Sequence, residues 1–195
     1  MKHIIVIGSS AGGINALKEV LSRLPADLPA AVIIVQHLQS GRLTRLPQYL
    51  DRMSSLRVCL AEHGAALLPG LAYLAVPGKH IRIENKSLVL DNDEKLNYVR
   101  PSADILFISA ARAYGSRVIG VILTGTGKDG AAGCQKIKEK GGVIIAQNEK
   151  SSQYFGMPLN AIETDCVDYI LDIKEIAGKI VELVTIERIN SARLF

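Results

Sequence analysis

The chain of 195 residues is 48% hydrophobic, and 23 Lys+Arg against 19 Asp+Glu leave a formal net charge of +4. That is enough chain for one domain with a real core, while scattered basic residues, 5% aromatics and no Trp argue against a base-stacking nucleic-acid surface. No apolar stretch reaches the about 18 residues of a membrane span, and three widely spaced cysteines (Cys59, Cys134, Cys166) without metal-ligand spacing fit a reducing cytoplasm.

Met1-Lys2-His3 enters a strand at once, so no targeting segment is expected before the fold. Ile4–Ile7 is a short β-branched run that stops at Gly8-Ser9-Ser10-Ala11-Gly12-Gly13. From Ile14 to Leu24, the positions Ile14, Leu17, Val20, Leu21 and Leu24 share one helical face. Ala31–Val35 is again apolar and ends at Gln36-His37; Leu43 to Met53 reads as a second helix and Arg57–Leu60 as a strand. Leu71–Val76, His80–Ile83 and Leu88–Leu90 are short strands separated by Pro77-Gly78 and Asn85-Lys86, a pattern that predicts a small antiparallel meander.

Ser102 can cap a helix over Ala103 to Tyr114. Val118–Leu123 is the most continuous buried strand, Lys128–Lys140 is helical up to Gly141-Gly142, and Val143–Ala146 is another strand. Asn148 to Phe155 reads as a polar loop, Pro158 opens a short helix, and Ile173 to Ile186 is the last helix before a frayed tail to Phe195. Strand–helix alternation with buried strands implies one α/β domain, a three-layer arrangement of a mainly parallel sheet flanked by helices with an antiparallel insert.

In open parallel sheets, ligands collect beyond the carboxyl ends of the strands. There the chain places Ser10 after the first strand, His37 after the second and Asp129 after Val118–Leu123, within Thr124-Gly125-Thr126-Gly127-Lys128-Asp129-Gly130. A serine, a histidine and an aspartate at one edge are the parts of a hydrolytic triad: nucleophile, base and orienting acid. Gly8-Ser9-Ser10-Ala11-Gly12 also fits G-x-S-x-G, the sharp turn that presents a serine hydroxyl before a helix N-terminus. The pentapeptide alone is weak. A phosphate-cradling loop or a plain turn are its rivals, although the glycine spacing misses G-x-G-x-x-G and no Gly-Lys-Ser/Thr follows. His37 alone could be a structural histidine at a strand end, and Asp129 alone a helix cap. His3, His63 and His80 form no H-x-x-x-H or Cys/His cluster, so no metal site is expected. The order Ser10, His37, Asp129, with its elbow after the first strand, differs from the α/β-hydrolase order, and no acidic pair of a phosphorelay receiver follows that strand.

The stretches IIVIGSSAGG, VIIVQHL, LLPGLAYLAVPGKH, RPSADILF, VILTGTGKDGAAG and AQNEKSSQYFGMP, in this order over roughly Ile4 to Val184, resemble the catalytic domain of the chemotaxis protein-glutamate methylesterase. The resemblance implies Ser10 as nucleophile, His37 as base and Asp129 as orienting acid, with amides near Thr126 and the Ser10–Ala11 turn as oxyanion donors. It implies hydrolysis of glutamyl methyl esters on the methylated cytoplasmic helices of chemoreceptors, in some members also deamidation of receptor glutamines, without metal or cofactor. It places the protein in the cytoplasm, without nucleic acid or membrane insertion, and makes a receiver domain or another chemotaxis signalling protein a further partner. On this reading residues 1–195 are one catalytic domain with its core at about 4–184 and no receiver domain. The chain departs from the family at Ala11, where Thr is common, at Thr126, where Met is usual, and at Leu159, where Arg is common. A non-catalytic signalling module on the same fold, or a serine hydrolase of a different ester, are the competing functions.

Overall fold

The structure is a computed structural model that describes residues 3–38 and 45–192. Its centre is a sheet in the spatial order β3 (Arg57–Leu60), β4 (Leu71–Leu74), β2 (Ala30–Gln36), β1 (His3–Ser9), β7 (Val118–Ile122), β8 (Val143–Gln147) and β9 (Tyr169–Leu171). Every neighbouring pair in it is parallel. Helices α1 (Gly13–Leu21), α2 (Leu46–Met53) and α6 (Ile173–Ala192) cover one face. Helices α3 (Ala103–Tyr114), α4 (Ala131–Glu139) and α5 (Gly156–Ile162) cover the other, with the antiparallel hairpin of β5 (His80–Glu84) and β6 (Ser87–Asp91). Among the described residues no helix is long and apolar enough to cross a membrane.

The strand sequences explain this layering. β1 and β2 are buried at every position, as strands covered on both faces must be. Alternate side chains feed the two cores: Ile4 and Val6 join Phe107 on the α3 side, whereas Ile5 and Ile7 join Leu17 and Leu21 on the α1 side. Each fully buried Ile or Leu contributes about 1.5–3 kcal/mol. Exposed ion pairs such as Arg23–Glu19 and Lys136–Glu139 are worth at most about 1 kcal/mol, so burial decides the architecture.

The α/β class and the mainly parallel sheet agree with the sequence pattern, and the middle of the chain needs one correction. Leu71–Leu74 does not belong to an antiparallel meander; it pairs in parallel with β2 and β3 inside the main sheet. Ala72, Tyr73 and Leu74 are buried, and a two-stranded insert could not bury them on both faces. The antiparallel element is therefore β5–β6 alone, joined at Asn85 and Lys86 with φ of 49° and 64° as a tight hairpin turn requires. Strand β9 had no clear sequence signal: it has three residues at the sheet edge, with Ile170 half exposed. Of the helix expected over Leu43 to Met53, residues 43–44 lie outside the described residues. The last helix continues past Ile186 to Ala192.

Strands β1, β2, β7 and β8 end at one edge, and four loops meet there. The chain leaves β1 through the Ser10 turn, β2 through His37, β7 through Thr124–Gly130 and β8 through Asn148–Phe155.

Candidate active site

His37 follows the last residue of β2, and its amide donates to Ser9 O across the β1–β2 junction at 3.0 Å. Its Nε2 lies 2.8 Å from Asp129 Oδ2. An ionised carboxylate can only accept, so Nε2 carries the proton and Nδ1 is left as the ring's acceptor.

Asp129 is held from a second direction. It precedes α4 in the chain, yet it serves the N-terminus of α3. Ser102 Oγ donates to Oδ1 at 2.6 Å, the Ala103 amide to Oδ2 at 2.6 Å and the Asp104 amide to Oδ1 at 3.1 Å. Asp104, in the first turn of α3, returns the contact: its Oδ1 accepts from the amides of Gly130 at 3.0 Å and Gly133 at 2.7 Å, at the start of α4. The two helices thus exchange carboxylates at their N-termini, where each neutralises orphan amides and the positive end of a dipole. The exchange needs close approach: a Cβ on Gly133 would lie 2.5 Å from Phe107 Cβ. Burial alone would raise the Asp129 pKa, but the hydrogen bonds from His37, Ser102 and the amides of Ala103 and Asp104 outweigh it and hold the carboxyl below its ordinary range. For Asp104 burial wins, aided by the neighbouring Asp129 charge, and its pKa is raised despite the Gly133 and Gly130 amides.

On the other side of His37, the turn after β1 is tied down by Gln36. Its Oε1 accepts from Ser9 Oγ at 2.8 Å, and its Nε2 donates to Ser10 O at 2.8 Å and His37 O at 3.0 Å. One buried amide thus spans the Ser10 turn and the His37 loop. It also explains a glycine: a Cβ on Gly13 would lie 2.1 Å from Gln36 Oε1. Of the two serines in the turn, Ser9 is fully buried and spent on Gln36, whereas Ser10 is partly exposed. Gly12, with φ of 77°, lets the chain turn from Ser10 into α1. Gln147 does for β8 what Gln36 does for β2: Oε1 accepts from the Thr124 amide and Nε2 donates to Ser151 O. Thr124 Oγ1 then donates to Ala11 O at 3.0 Å, joining the two loops directly.

Ser10, Ala11, Gln36 and His37 line one depression. Thr126 and Asp129 line a neighbouring cavity of about 440 Å³ with His37, Asn97 and Tyr98. The expected site residues therefore meet around His37, with only the His37–Asp129 pair directly bonded; Ser10 Oγ makes no hydrogen bond among the described residues. Nucleophile contacts of this kind often tighten only when substrate is bound. The Ala11 and Thr126 amides also find no acceptor among the described residues, which leaves both available to an oxyanion. Burial pushes the Cys59 and Cys134 thiols up, which disfavours the thiolate form of both. Among the described residues no three His, Cys, Asp or Glu side chains group as metal ligands.

Residues 5–180 match the family model described as CheB methylesterase. The chain belongs to the CheB methylesterase family. It is 43% identical over 188 residues to a protein-glutamate methylesterase/protein-glutamine glutaminase of Moorella thermoacetica, covering 94% of this chain and 44% of that one. A protein of the same name from Pyrococcus horikoshii is 39% identical over 94% of this chain and 51% of its own. The chain spans about half the length of the curated relatives it matches. The crystal structure of the Thermotoga maritima CheB methylesterase catalytic domain superposes with a TM-score of 0.90 at 40% identity, over 94% of this chain and 99% of that one.

Within this CheB-type fold, the motif residues do not work alone. Gln36, Gln147, Thr124, Ser102 and Asp104 carry the polar frame, and sequence reasoning assigned no site role to any of them. The available signal was a glutamine closing an otherwise apolar strand, in AAVIIVQ and VIIAQ. A buried polar residue there needs a partner beyond the strand.

Replacing Gln36 with Leu removes three hydrogen bonds at once. Among the described residues it leaves the His37 carbonyl without a partner, Ser9 Oγ with only its 3.4 Å contact to Val35 O and Ser10 O with only the Gly13 amide, a cost of about 1–3 kcal/mol. We expect a lower urea midpoint and a fall in kcat larger than any rise in KM, with partial rescue by Gln36→Asn. Stability should also depend on pH through the carboxylate exchange. Asp129 titrates lower in the fold than unfolded, so its contribution is present above the unfolded pKa and is lost as pH falls through the folded value. Asp104 titrates higher, so its contribution is present below the unfolded pKa and is lost as pH rises through the folded value. Urea midpoints over a pH series should show Asp104→Asn flattening the decline above the ordinary carboxylate range and Asp129→Asn flattening the acid side.

Proposed function

We propose that this chain is the catalytic domain of a protein-glutamate methylesterase, hydrolysing glutamyl methyl esters on the cytoplasmic helices of chemoreceptors to glutamate and methanol. The carrying observation is the His37 Nε2–Asp129 Oδ2 hydrogen bond, which leaves Nδ1 as the proton acceptor in a histidine sharing a depression with Ser10. In the proposed reaction His37 Nδ1 takes the Ser10 proton as Oγ attacks the ester carbonyl. The amides of Ala11 and Thr126 donate to the oxyanion. Collapse breaks the bond to the methoxy oxygen, and His37 returns its proton to release methanol. Water, deprotonated by the same nitrogen, cleaves the acyl-enzyme and frees the glutamate and Ser10.

Asp129 keeps the imidazole in this tautomer and stabilises the imidazolium. No metal or cofactor enters the scheme. The relatives' double name makes receptor glutamine amides a second proposed substrate, with ammonia leaving in place of methanol. The proposed setting is the cytoplasm, with a phosphorylatable receiver domain or another chemotaxis signalling protein as regulatory partner.

Methanol release from methylated receptor membranes tests the reading. The wild-type chain should release it, and Ser10→Ala should lower the rate at least about 1,000-fold. Equal release from both would remove Ser10 from the mechanism. Hydrolysis of a small ester without methanol release would move the function to another ester class.

A further inference from the structure

The rim of the site carries an aromatic side chain that the scheme above does not use. Leu96 and Val99 exchange backbone hydrogen bonds of 3.2 and 3.0 Å, so Asn97 and Tyr98 form a two-residue turn. Both have positive φ, 50° and 67°, a conformation that a bulky side chain such as tyrosine rarely adopts. The turn is anchored from below. Asn97 Nδ2 donates to Asp104 Oδ2 at 3.2 Å, Arg100 Nη1 donates to the carbonyls of Asn92 and Asp93, and buried His80 bonds to Glu94 O at 3.0 Å. At its tip Tyr98 is 95% exposed, while no other exposed large hydrophobic residue described passes 52%.

Its position gives that exposure a meaning. Tyr98 lines two cavities that share His37, one of about 240 Å³ and one of about 440 Å³. Lys95 lines the first and Lys128 the second. Neither ammonium has an ion-pair or hydrogen-bond partner among the described residues. A strained, fully solvated ring flanked by two unpaired cations gains nothing in the free protein. It suits an extended ligand that passes over the ring and carries carboxylates on both sides of the group presented to His37.

We propose that Tyr98, with Lys95 and Lys128, forms the docking rim for an acidic peptide segment carrying the scissile ester. The ring packs on the peptide chain, and the lysines receive carboxylates that flank the reacting residue. The proposal rests on the methylesterase reading for the identity of the reacting group, but its test does not need turnover.

Fluorescence anisotropy of two labelled peptides, one with a glutamyl methyl ester flanked by Glu and one flanked by Gln, is measured in the Ser10→Ala background. The Glu-flanked peptide should bind more tightly, and its advantage should shrink with salt. Tyr98→Ala should weaken binding of both peptides about tenfold, the loss typical of a modest aromatic anchor, and Tyr98→Phe should restore it. Lys95→Gln with Lys128→Gln should abolish the preference for Glu. Tyr98→Gly separates docking from folding: glycine suits a φ of 67°, so the melting temperature should hold or rise while affinity falls. Unchanged affinity in Tyr98→Ala, or a loss matched by a lower melting temperature in Tyr98→Gly, overturns the proposal. Tyr98-dependent binding without methanol release by the Ser10 protein would keep the docking rim and discard the methylesterase reading.

Discussion

The site depends on the exchange of carboxylates between two helix N-termini. Asp129 lies before α4 and closes the end of α3; Asp104 lies in α3 and closes the end of α4. Each buried carboxylate alone would be a liability, since desolvating an unpaired charge costs several kcal/mol. Facing amides and a helix dipole, Asp129 becomes a cap worth about 1 kcal/mol or more, whereas for Asp104 the amides offset only part of the cost of burial. The exchange locks α3 to α4 and in doing so aims one oxygen of Asp129 at His37. The carboxylate that locks the two helices is therefore also the one that would orient the base in the proposed reaction. The second carboxylate makes the balance unequal: with Asp104 so near, only one of the pair is strongly favoured as an anion, and the hydrogen bonds select Asp129.

The parallel sheet supplies the rest by geometry. Four strands end at one edge, and two of them end in buried glutamines. An amide side chain both donates and accepts, so one glutamine can serve groups on different loops at once. Gln36 ties the Ser10 turn to the His37 loop, and Gln147 ties the Thr124 loop to the chain after β8. The Ser10 turn is thus fixed through its backbone, and the Ser10 hydroxyl is left uncommitted.

Much of this was legible in the sequence. The fold class followed from apolar strands alternating with amphipathic helices, and Ser10, His37 and Asp129 stood out because each follows a strand at the same edge. What escaped was long-range pairing. Asp129 reads locally as a cap for the helix it precedes; that it caps a different helix depends on how α3 and α4 pack. Leu71–Leu74 looks like a hairpin strand because Pro77-Gly78 follows it, yet burial draws it into the main sheet. The Asn97–Tyr98 turn pairs an asparagine, which tolerates positive φ, with a tyrosine, which rarely adopts it, so its composition announced only half of the turn.

The central claim is that Asp129 fixes the proton of His37 on Nε2 and leaves Nδ1 as the base. Nitrogen-15 NMR of the imidazole, with the wild-type chain held where His37 is neutral, reads this directly. The account predicts a protonated Nε2 and a bare Nδ1, a distribution that Asp129→Ala randomises. A proton resident on Nδ1 in the wild-type protein would contradict it, because the nitrogen assigned as base would already be occupied.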